Sequence, residues 1–231
     1  LYSTTITSLV FTHLSVINPV ELKTIEGPKG RFYITPEGNK YPSITTILGA
    51  GDKPWLADWR NSLGADRADK EMKRAAERGT AVHSMVEKFL NNDPKPSEGH
   101  KPEHIPDFNM LRVFLKRINN IYTQETALWS DTLRTAGRVD CVGEYNGKLA
   151  IIDFKTSTNN KNQSMVQDYY LQTTAYALMF QERYNIQIDD IVIIMSVEKG
   201  AVPLIFQQSV EPHIEPLLHR INTYHTTYGA K

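Results

Sequence analysis

Apolar and polar residues alternate through the middle of the chain, a pattern typical of β-strands that are buried on one face. Three alternating segments follow one another: ETALWSD, GRVDCVGEYNG and KLAIIDFKTS. The last two meet at Asn146-Gly147, a dipeptide that strongly favours a tight hairpin turn. The pattern therefore predicts three antiparallel strands. Two more strands are predicted at IVIIMSV and PLIFQQSV, with a turn at Lys199-Gly200 between them.

Elsewhere apolar residues recur at three- and four-residue spacing, which predicts amphipathic helices. The first helical zone runs from residue 53 to about 91 and contains RAAERGTAVHSMVEKFL, where Gly79 counts against one continuous helix. Further helices are predicted at about 107–121, 164–183 and 212–228. The order of helix, three strands, helix and strand predicts an α/β core in which helices flank a β-sheet.

The N-terminal part of the chain reads as short strands and turns. RFYIT alternates, PEGNK is typical of a turn, and PSITTIL fits a strand or a strand-to-helix junction. We therefore predict an N-terminal β-rich lobe at 1–52 and the α/β core with its helical block at 53–231, within one compact domain overall. Residues 91–106, NNDPKPSEGHKPEHIP, are predicted to form an exposed loop and are the candidate for a mobile flap.

Composition narrows the possible functions. The 231 residues are 40% hydrophobic, enough for one sizeable core, and 26 basic side chains balance 26 acidic ones. A nucleic-acid partner would therefore need a local groove, because the bulk charge does not attract one. The single Cys141 excludes an internal disulfide, a four-thiolate zinc site and an iron–sulfur cluster held by this chain alone. The N-terminal stretch LYSTTITSLVFTHLSVIN is too polar for a membrane span or a signal peptide.

The KLAIIDFKTS strand carries the strongest candidate chemistry. Asp153 and Lys155 are two residues apart, so both side chains project from one face while Phe154 projects from the other. Asp140 lies on the preceding strand across the hairpin, at the same end of the sheet. Two carboxylates and a backbone carbonyl, that of Phe154, suit magnesium or manganese. By themselves these residues fit a solvated ion pair at a strand end better than a metal site.

Two predicted helices add polar pairs four residues apart. His83 and Glu87 share one helical face, and Gln172 and Tyr176 share another. An imidazole on such a face is a possible manganese ligand, although most histidines in this position are core residues. Gln172 and Tyr176 are likewise compatible with a helix that has one polar flank.

Taken in order, these residues resemble the PD-(D/E)xK nuclease superfamily, and within it the RecB-like branch. The matching positions are His83, then Gly137-Arg138-Val139-Asp140, then Asp153-Phe154-Lys155, then Gln172 to Tyr176. Upstream, PSITTILGAGDKPWLADWRNSLG and RGTAVHSMVEKFL are similar to the mitochondrial genome maintenance exonucleases and to exonucleases of tailed phages. The resemblance covers roughly residues 41 to 180. It implies a restriction-endonuclease-like core with a central mixed β-sheet.

The resemblance also implies roles. His83, Asp140, Asp153 and the Phe154 carbonyl would hold Mg²⁺ or Mn²⁺, and the catalytic residues would be Asp140, Asp153, Lys155, Gln172 and Tyr176. Trp59 and Arg78 are predicted substrate contacts, grouped with Glu125, which matches a frequently acidic position. Relatives with an iron–sulfur cluster hold it by cysteines that are absent here. Trp55 offers a further stacking surface for an unpaired base.

The implied activity is metal-dependent exonucleolytic cleavage of single-stranded DNA from a free end, in DNA repair or replication. Two alternatives remain open: a structure-specific endonuclease with the same fold, and a catalytically silent nuclease-like module that only binds DNA. The expected location is intracellular, with the cytoplasm of a phage-infected bacterium favoured over the mitochondrial matrix. No membrane partner is expected.

Overall fold

A computed structural model describes residues 10–51 and 54–228, with the backbone alone for 54 and 55. Its centre is a five-stranded sheet in the order β4-β5-β6-β7-β8. The strands are β4 (Ile118–Ser130), β5 (Thr135–Tyr145), β6 (Lys148–Ser157), β7 (Asp190–Val197) and β8 (Leu204–Ser209). β6 and β7 are parallel, and the other neighbours are antiparallel. The predicted mixed sheet and its three consecutive antiparallel strands are confirmed.

Helices cover both faces of this sheet. On one face lie α3 (Ala65–Leu90) and α4 (Ile105–Leu115), and on the other lie α1 (Ile44–Gly49), α5 (Gln167–Tyr184) and α6 (Glu211–Tyr228). The parallel pair β6 and β7 requires a crossover connection, and α5 supplies it. A separate helix, α2 (Pro54–Leu63), precedes α3. Among the described helices, none is long and apolar enough to cross a membrane.

Side-chain alternation in β6 sorts its residues between the two faces. Ile152 and Phe154 belong to the core beneath α3 and α4, whereas Ile151 belongs to the core beneath α5. Lys155 lies near the ring of Tyr169, at the start of α5. The prediction that Asp153 and Lys155 share the face opposite Phe154 is therefore confirmed.

A second, smaller sheet docks against the start of β5. Its strands are β1 (Lys23–Gly27), β2 (Gly30–Ile34) and β3 (Lys40–Pro42), all antiparallel. The Thr135 hydroxyl donates to the carbonyl of Pro42 at 3.0 Å, and Ser43 forms a parallel bridge with Ala136. PSITTIL is thus a strand-to-helix junction, in which Ser43 caps α1 by accepting from the N–H of Thr46. This docking holds β2 and α1 beside the central sheet.

Two helix boundaries differ from the prediction. The zone predicted at 53–91 is helical from Pro54 to Leu90, but it breaks at Gly64, whose φ is 82°, and Gly79 lies inside α3. The helix predicted to reach residue 121 ends at Leu115, so the prediction was wrong for the residues that begin β4. Ile118 and Ile121 are buried in the core beneath α3, which outweighs their helical spacing. The predicted division between residues 52 and 53 lies outside the described residues.

Candidate active site

The candidate site is an opening between β5 and β6. The two strands pair from Tyr145–Lys148 up to Cys141–Ile152, and their regular pairing ends there. Beyond that point the Asp140 carboxylate replaces a backbone acceptor, because its Oδ2 accepts the N–H of Phe154 at 2.8 Å. The carboxylate is thereby held at the point where the sheet opens and leaves room for a ligand.

Face alternation is broken at the same point of β5. Val139 and Val142 are three residues apart, yet both lie in the core beneath α5. Cys141 lies in the core beneath α3 and α4. A regular strand would place residues an odd number apart on opposite faces. The irregularity lets Asp140 turn toward α3, where it meets His83.

His83, Glu125 and Asp140 form a group that can hold a metal ion. Their candidate ligand atoms all lie within 4.8 Å of one another, and His83 Nδ1 is 3.5 Å from Asp140 Oδ2. His83 comes from α3, Glu125 from β4 and Asp140 from β5. One nitrogen and two carboxylate oxygens suit Mn²⁺ or Mg²⁺. Sequence reasoning had grouped Glu125 with the substrate contacts, and the structure brings it to this group.

The backbone of Glu125 is held in an uncommon conformation. Its φ is 48°, in the left-handed region that a non-glycine residue rarely adopts within a strand. The Arg138 guanidinium donates through Nη1 to the Glu125 carbonyl and through Nη2 to Glu21 at 3.0 Å. Such local strain persists only where surrounding contacts maintain it, and it commonly marks a functional site. Arg138 is the clearest contact that maintains it here.

Asp153 and Lys155 form a buried pair next to this group. Lys155 Nζ donates to Asp153 Oδ1 at 2.8 Å, and the Asp153 side chain is only 1% exposed. The second oxygen, Oδ2, lies 2.6 Å from the same nitrogen but makes no hydrogen bond of normal geometry. A buried carboxylate needs compensating positive charge, and Lys155 supplies only part of it, since the pKa of Asp153 stays above its ordinary value. The donor set of the site therefore fits a divalent cation.

Burial shapes the protonation of these groups. It raises the pKa of Asp153 to about 6, against the opposing effect of Lys155. Burial also raises the pKa of Glu125 to about 7, and the nearby Asp140 adds to the rise. Burial lowers the pKa of Lys155, but Asp153 and Asp140 raise it more, so the pKa lies above its ordinary value. Several carboxyl groups thus share a poorly solvated space, which a bound cation would stabilise in their charged form.

Gln172 and Tyr176 approach from the α5 side, and both are buried. Gln172 Nε2 donates to the Tyr176 hydroxyl at 3.2 Å, so the predicted pairing across one helical turn is confirmed. The Tyr176 ring packs onto the backbone of Gly137. A β-carbon at that position would lie 2.6 Å from the Tyr176 Cε1 atom. This contact explains why the segment Gly137-Arg138-Val139-Asp140 begins with glycine.

These elements enclose a cavity of about 220 Å³. Six predicted site residues line it: His83, Glu125, Asp140, Lys155, Gln172 and Tyr176. Six lining residues were not predicted as site residues: Arg31, Tyr33, Ser43, Thr45, Gly137 and Arg138. Four of these six come from the docked N-terminal sheet, from α1 or from its N-cap Ser43, and no local pattern in the sequence signals their proximity. Arg138 stands inside the Gly137–Asp140 motif, which is the one signal that pointed to it.

The remaining predicted contacts lie elsewhere. The Arg78 side chain is 4% exposed, and it pairs with Glu198 and approaches the Thr158 hydroxyl at 3.4 Å. Trp59 lies on α2, and neither it nor Arg78 lines the cavity. The Trp55 side chain is outside the described residues. The loop at 91–106 contributes no lining residue to the described cavity; its Asn92 side chain bonds the Phe11 backbone.

Comparison with known proteins agrees with this geometry. Residues 108–210 match the family described as the PD-(D/E)XK nuclease superfamily. The mitochondrial genome maintenance exonuclease 1 of Mus musculus is 27% identical over 176 residues, covering 71% of this chain and 52% of that protein. The Homo sapiens protein of that name is 26% identical over 179 residues, covering 71% and 51%.

A third relative has the same name. The Xenopus tropicalis protein is 28% identical over 180 residues, covering 69% of this chain and 49% of that protein. The chain thus spans about half the length of the curated relatives it matches. The family match covers β4 to β8 and therefore includes Asp140, Asp153 and Lys155 at the opening of the sheet. On these grounds the chain is similar to the PD-(D/E)XK nuclease superfamily over the strands that carry the candidate site.

Proposed function

We propose that this chain is a metal-dependent DNA exonuclease that hydrolyses phosphodiester bonds in single-stranded DNA from a free end. The observation that carries the proposal is the convergence of His83, Glu125 and Asp140 on one cavity beside the Asp153–Lys155 pair. Support for the exonuclease assignment comes from the names of the relatives. This chain covers about half of the length of those proteins.

In this proposal His83, Glu125, Asp140 and Asp153 hold Mg²⁺ or Mn²⁺, with the Phe154 carbonyl as a further ligand. A divalent cation bound there supplies Lewis-acid stabilisation of phosphate charge and makes water a better nucleophile. Each carboxylate comes from a different position of the opened sheet, so the site exists only when β4, β5 and β6 are correctly paired.

The chain's other residues position the substrate and the attacking water. Lys155, kept charged by Asp153 and Asp140, orients the attacking water through Nζ and donates a hydrogen bond to the phosphate. Gln172 and Tyr176 offer an amide and a hydroxyl to the substrate side of the cavity. Arg31 and Arg138 line the same cavity and offset phosphate charge there.

The size of the cavity and the balanced charge of the chain support the proposed preference for unpaired DNA. A cavity of about 220 Å³ is smaller than the roughly 300–1,000 Å³ of typical ligand pockets, which suits one sugar-phosphate unit. The balanced charge of 26 basic and 26 acidic side chains disfavours tight binding of long duplex by counterion release.

The sequence led us to expect a phage-infected bacterium as the location of the protein. The relatives are named for mitochondrial genome maintenance, which does not favour that expectation.

The test compares three labelled DNAs of one sequence: linear single strand, linear duplex and circular single strand. Each is incubated with Mg²⁺, with Mn²⁺ or with a chelator. We expect linear single strands to be shortened to oligonucleotides, circles to survive, and chelator to stop all cleavage. If circular single strands are cleaved as fast as linear ones, the chain is an endonuclease and not an exonuclease. Binding without cleavage under every metal condition would indicate a silent DNA-binding module.

A further inference from the structure

We propose that a second cavity beside the active site binds one unpaired nucleotide of the DNA strand, next to the nucleotide being cleaved. The proposal rests on the proposed function, because it takes the strand in the catalytic cavity to be DNA. The second cavity lies between the β1–β2 turn, the end of α1 and the last turns of α6. Its volume is about 680 Å³, within the roughly 300–1,000 Å³ of ligand pockets.

The two cavities are neighbours that share a wall. Arg31 and Thr45 line both of them. A strand whose phosphate lies beside Lys155 can therefore continue past Arg31 into the larger cavity without leaving the protein surface. This continuity favours the next nucleotide of the same strand as the occupant, since its neighbour is already held by the catalytic residues.

Arg31 is positioned to bind a phosphate where the two cavities meet. Its N–H donates to Thr46 Oγ1 at 3.0 Å, and its carbonyl accepts from Thr46 Oγ1 at 3.1 Å and from the N–H of Ser43 at 2.8 Å. Gly30 permits this close approach, because a β-carbon there would lie 2.5 Å from Thr46 Oγ1. The backbone is thus anchored to α1, while the side chain is exposed and paired with the exposed Glu26. An exposed ion pair is weak, so a phosphate can displace Glu26.

An aromatic wall faces this cationic side. Tyr224 and Tyr228 are one turn apart on α6, with ring centroids 5.3 Å apart. Tyr224 is 8% exposed and belongs to the core, whereas Tyr228 is 50% exposed. A buried ring that supports an exposed one makes a firm platform on which a base can stack. Lys29, in the β1–β2 turn, adds a second positive charge to the lining.

The positively charged side chains and the exposed aromatic ring together indicate which ligand the second cavity binds. A phosphate suits Arg31 and Lys29, and the flat face of a base suits Tyr228. The base must be unpaired to present its face to the ring, which links this cavity to the preference for single strands. Stacking tolerates every base, so the cavity should bind DNA without sequence preference.

The experiment measures binding of fluorescent oligothymidylates of two to twelve nucleotides by anisotropy, in chelator so that nothing is cleaved. We expect Tyr228→Ala to weaken binding of the longer oligomers about tenfold, since stacking on one ring is worth about 1–3 kcal/mol. Tyr228→Phe keeps the ring and should bind as the wild type does. Lys29→Gln should weaken binding and lower the salt dependence by about one counterion.

Lys148→Gln is the matched control for Lys29→Gln. Lys148 is also an exposed lysine at a hairpin turn, but it lies at the far end of β6 from Lys155. Unfolding curves for every variant check that the fold is retained, and the two surface lysine variants keep the test valid if Tyr228→Ala does not fold.

Unchanged affinity in both Tyr228→Ala and Lys29→Gln, or no oligonucleotide binding by the wild type, would overturn the subsite. Free thymidine monophosphate that competes as well as an oligomer would also overturn it, in favour of a site for released nucleotide. Failure of the proposed function looks different: oligomers would bind and the variants would weaken binding, but no metal would support cleavage.

Discussion

The ring of Tyr176 lies directly on the backbone of Gly137, so closely that a β-carbon at 137 would stand 2.6 Å from Cε1 and 3.0 Å from the hydroxyl oxygen. Tyr176 comes from α5, and Gly137 lies three residues before Asp140 on β5. The contact therefore sets the distance between the helix that carries Gln172 and the strand that carries a proposed metal ligand. A side chain at position 137 therefore cannot be added without moving Tyr176.

We expect Gly137→Ala to displace Tyr176 and Gln172 and to lower cleavage more than tenfold. Overpacking of this kind costs about 1–3 kcal/mol of unfolding free energy, measurable by urea denaturation. Gly79→Ala is the matched control, because a β-carbon there would meet only Thr156 Oγ1, at an ordinary 3.7 Å. Since Gly79 lies inside α3, alanine should stabilise the protein by about 0.5–1 kcal/mol. Full activity in Gly137→Ala would show that the contact is not needed for catalysis.

The proposed metal ligands predict a separation of binding from catalysis. Glu125→Gln and Asp140→Asn should each weaken Mn²⁺ binding at least tenfold in calorimetry and abolish cleavage, because each removes one charged ligand oxygen. Lys155→Ala should be equally inactive yet bind the metal, since an ammonium group is not a ligand. Loss of metal binding in Lys155→Ala, or normal binding in both carboxylate variants, would refute these roles.

If His83 is a metal ligand, its removal should affect cleavage with Mn²⁺ and cleavage with Mg²⁺ to different degrees. Imidazole is a softer ligand than carboxylate, so His83→Ala should reduce Mn²⁺-supported cleavage by a different factor than Mg²⁺-supported cleavage. Parallel titrations of the variant with each metal give the two factors. An equal loss with both would assign His83 to packing against Phe154, whose ring centroid is 6.4 Å from its own.

Arg138 is expected to act through Glu125. Arg138→Met keeps much of the side-chain length but frees the Glu125 carbonyl, so the left-handed backbone should relax and metal affinity should fall about tenfold. Calorimetric titration with Mn²⁺ measures this in the absence of DNA. Arg67→Met, at an exposed position of α3, controls for the loss of one positive charge. If both variants bind the metal as the wild type does, Arg138 has no positioning role.

Glu198 predicts a pH dependence of stability. Hydrogen bonds from Arg74, at 2.7 and 3.1 Å, and the charge of the buried Arg78 hold the pKa of Glu198 below its ordinary value of 4.5. A carboxyl group with a depressed pKa in the folded state stabilises the protein above its ordinary pKa, and this is lost as the pH falls through the depressed value. Glu198→Gln should therefore cost about 2 kcal/mol at neutral pH, because Arg78 loses its counter-charge.

The difference between wild type and Glu198→Gln should narrow steadily below pH 4.5 in urea denaturation across the pH range. Glu98→Gln is the control, since the Glu98 and Lys95 pair is exposed and should contribute under about 1 kcal/mol. A difference that stays constant with pH would mean that the Glu198 carboxylate does not stabilise the fold through its charge.

Local periodicity determined much of this protein without reference to distant contacts. The alternation in KLAIIDFKTS placed Asp153 and Lys155 on one face, and the spacing of Gln172 and Tyr176 placed them one turn apart on one helix. Both follow from backbone geometry, in which side-chain direction repeats every two residues in a strand and every 3.6 in a helix. The α/β arrangement followed from the order of the elements, whereas the mixed sheet was implied by the family resemblance.

Only the tertiary structure decided which residues meet at the opening of the sheet. Glu125 reaches His83 and Asp140 because its backbone is left-handed, a state that Arg138 helps to hold. Arg31 arrives with a separate sheet that docks on β5. These positions depend on contacts between residues far apart in the chain, whose packing energies outweigh local preference, so the pattern of neighbouring residues carries no trace of them.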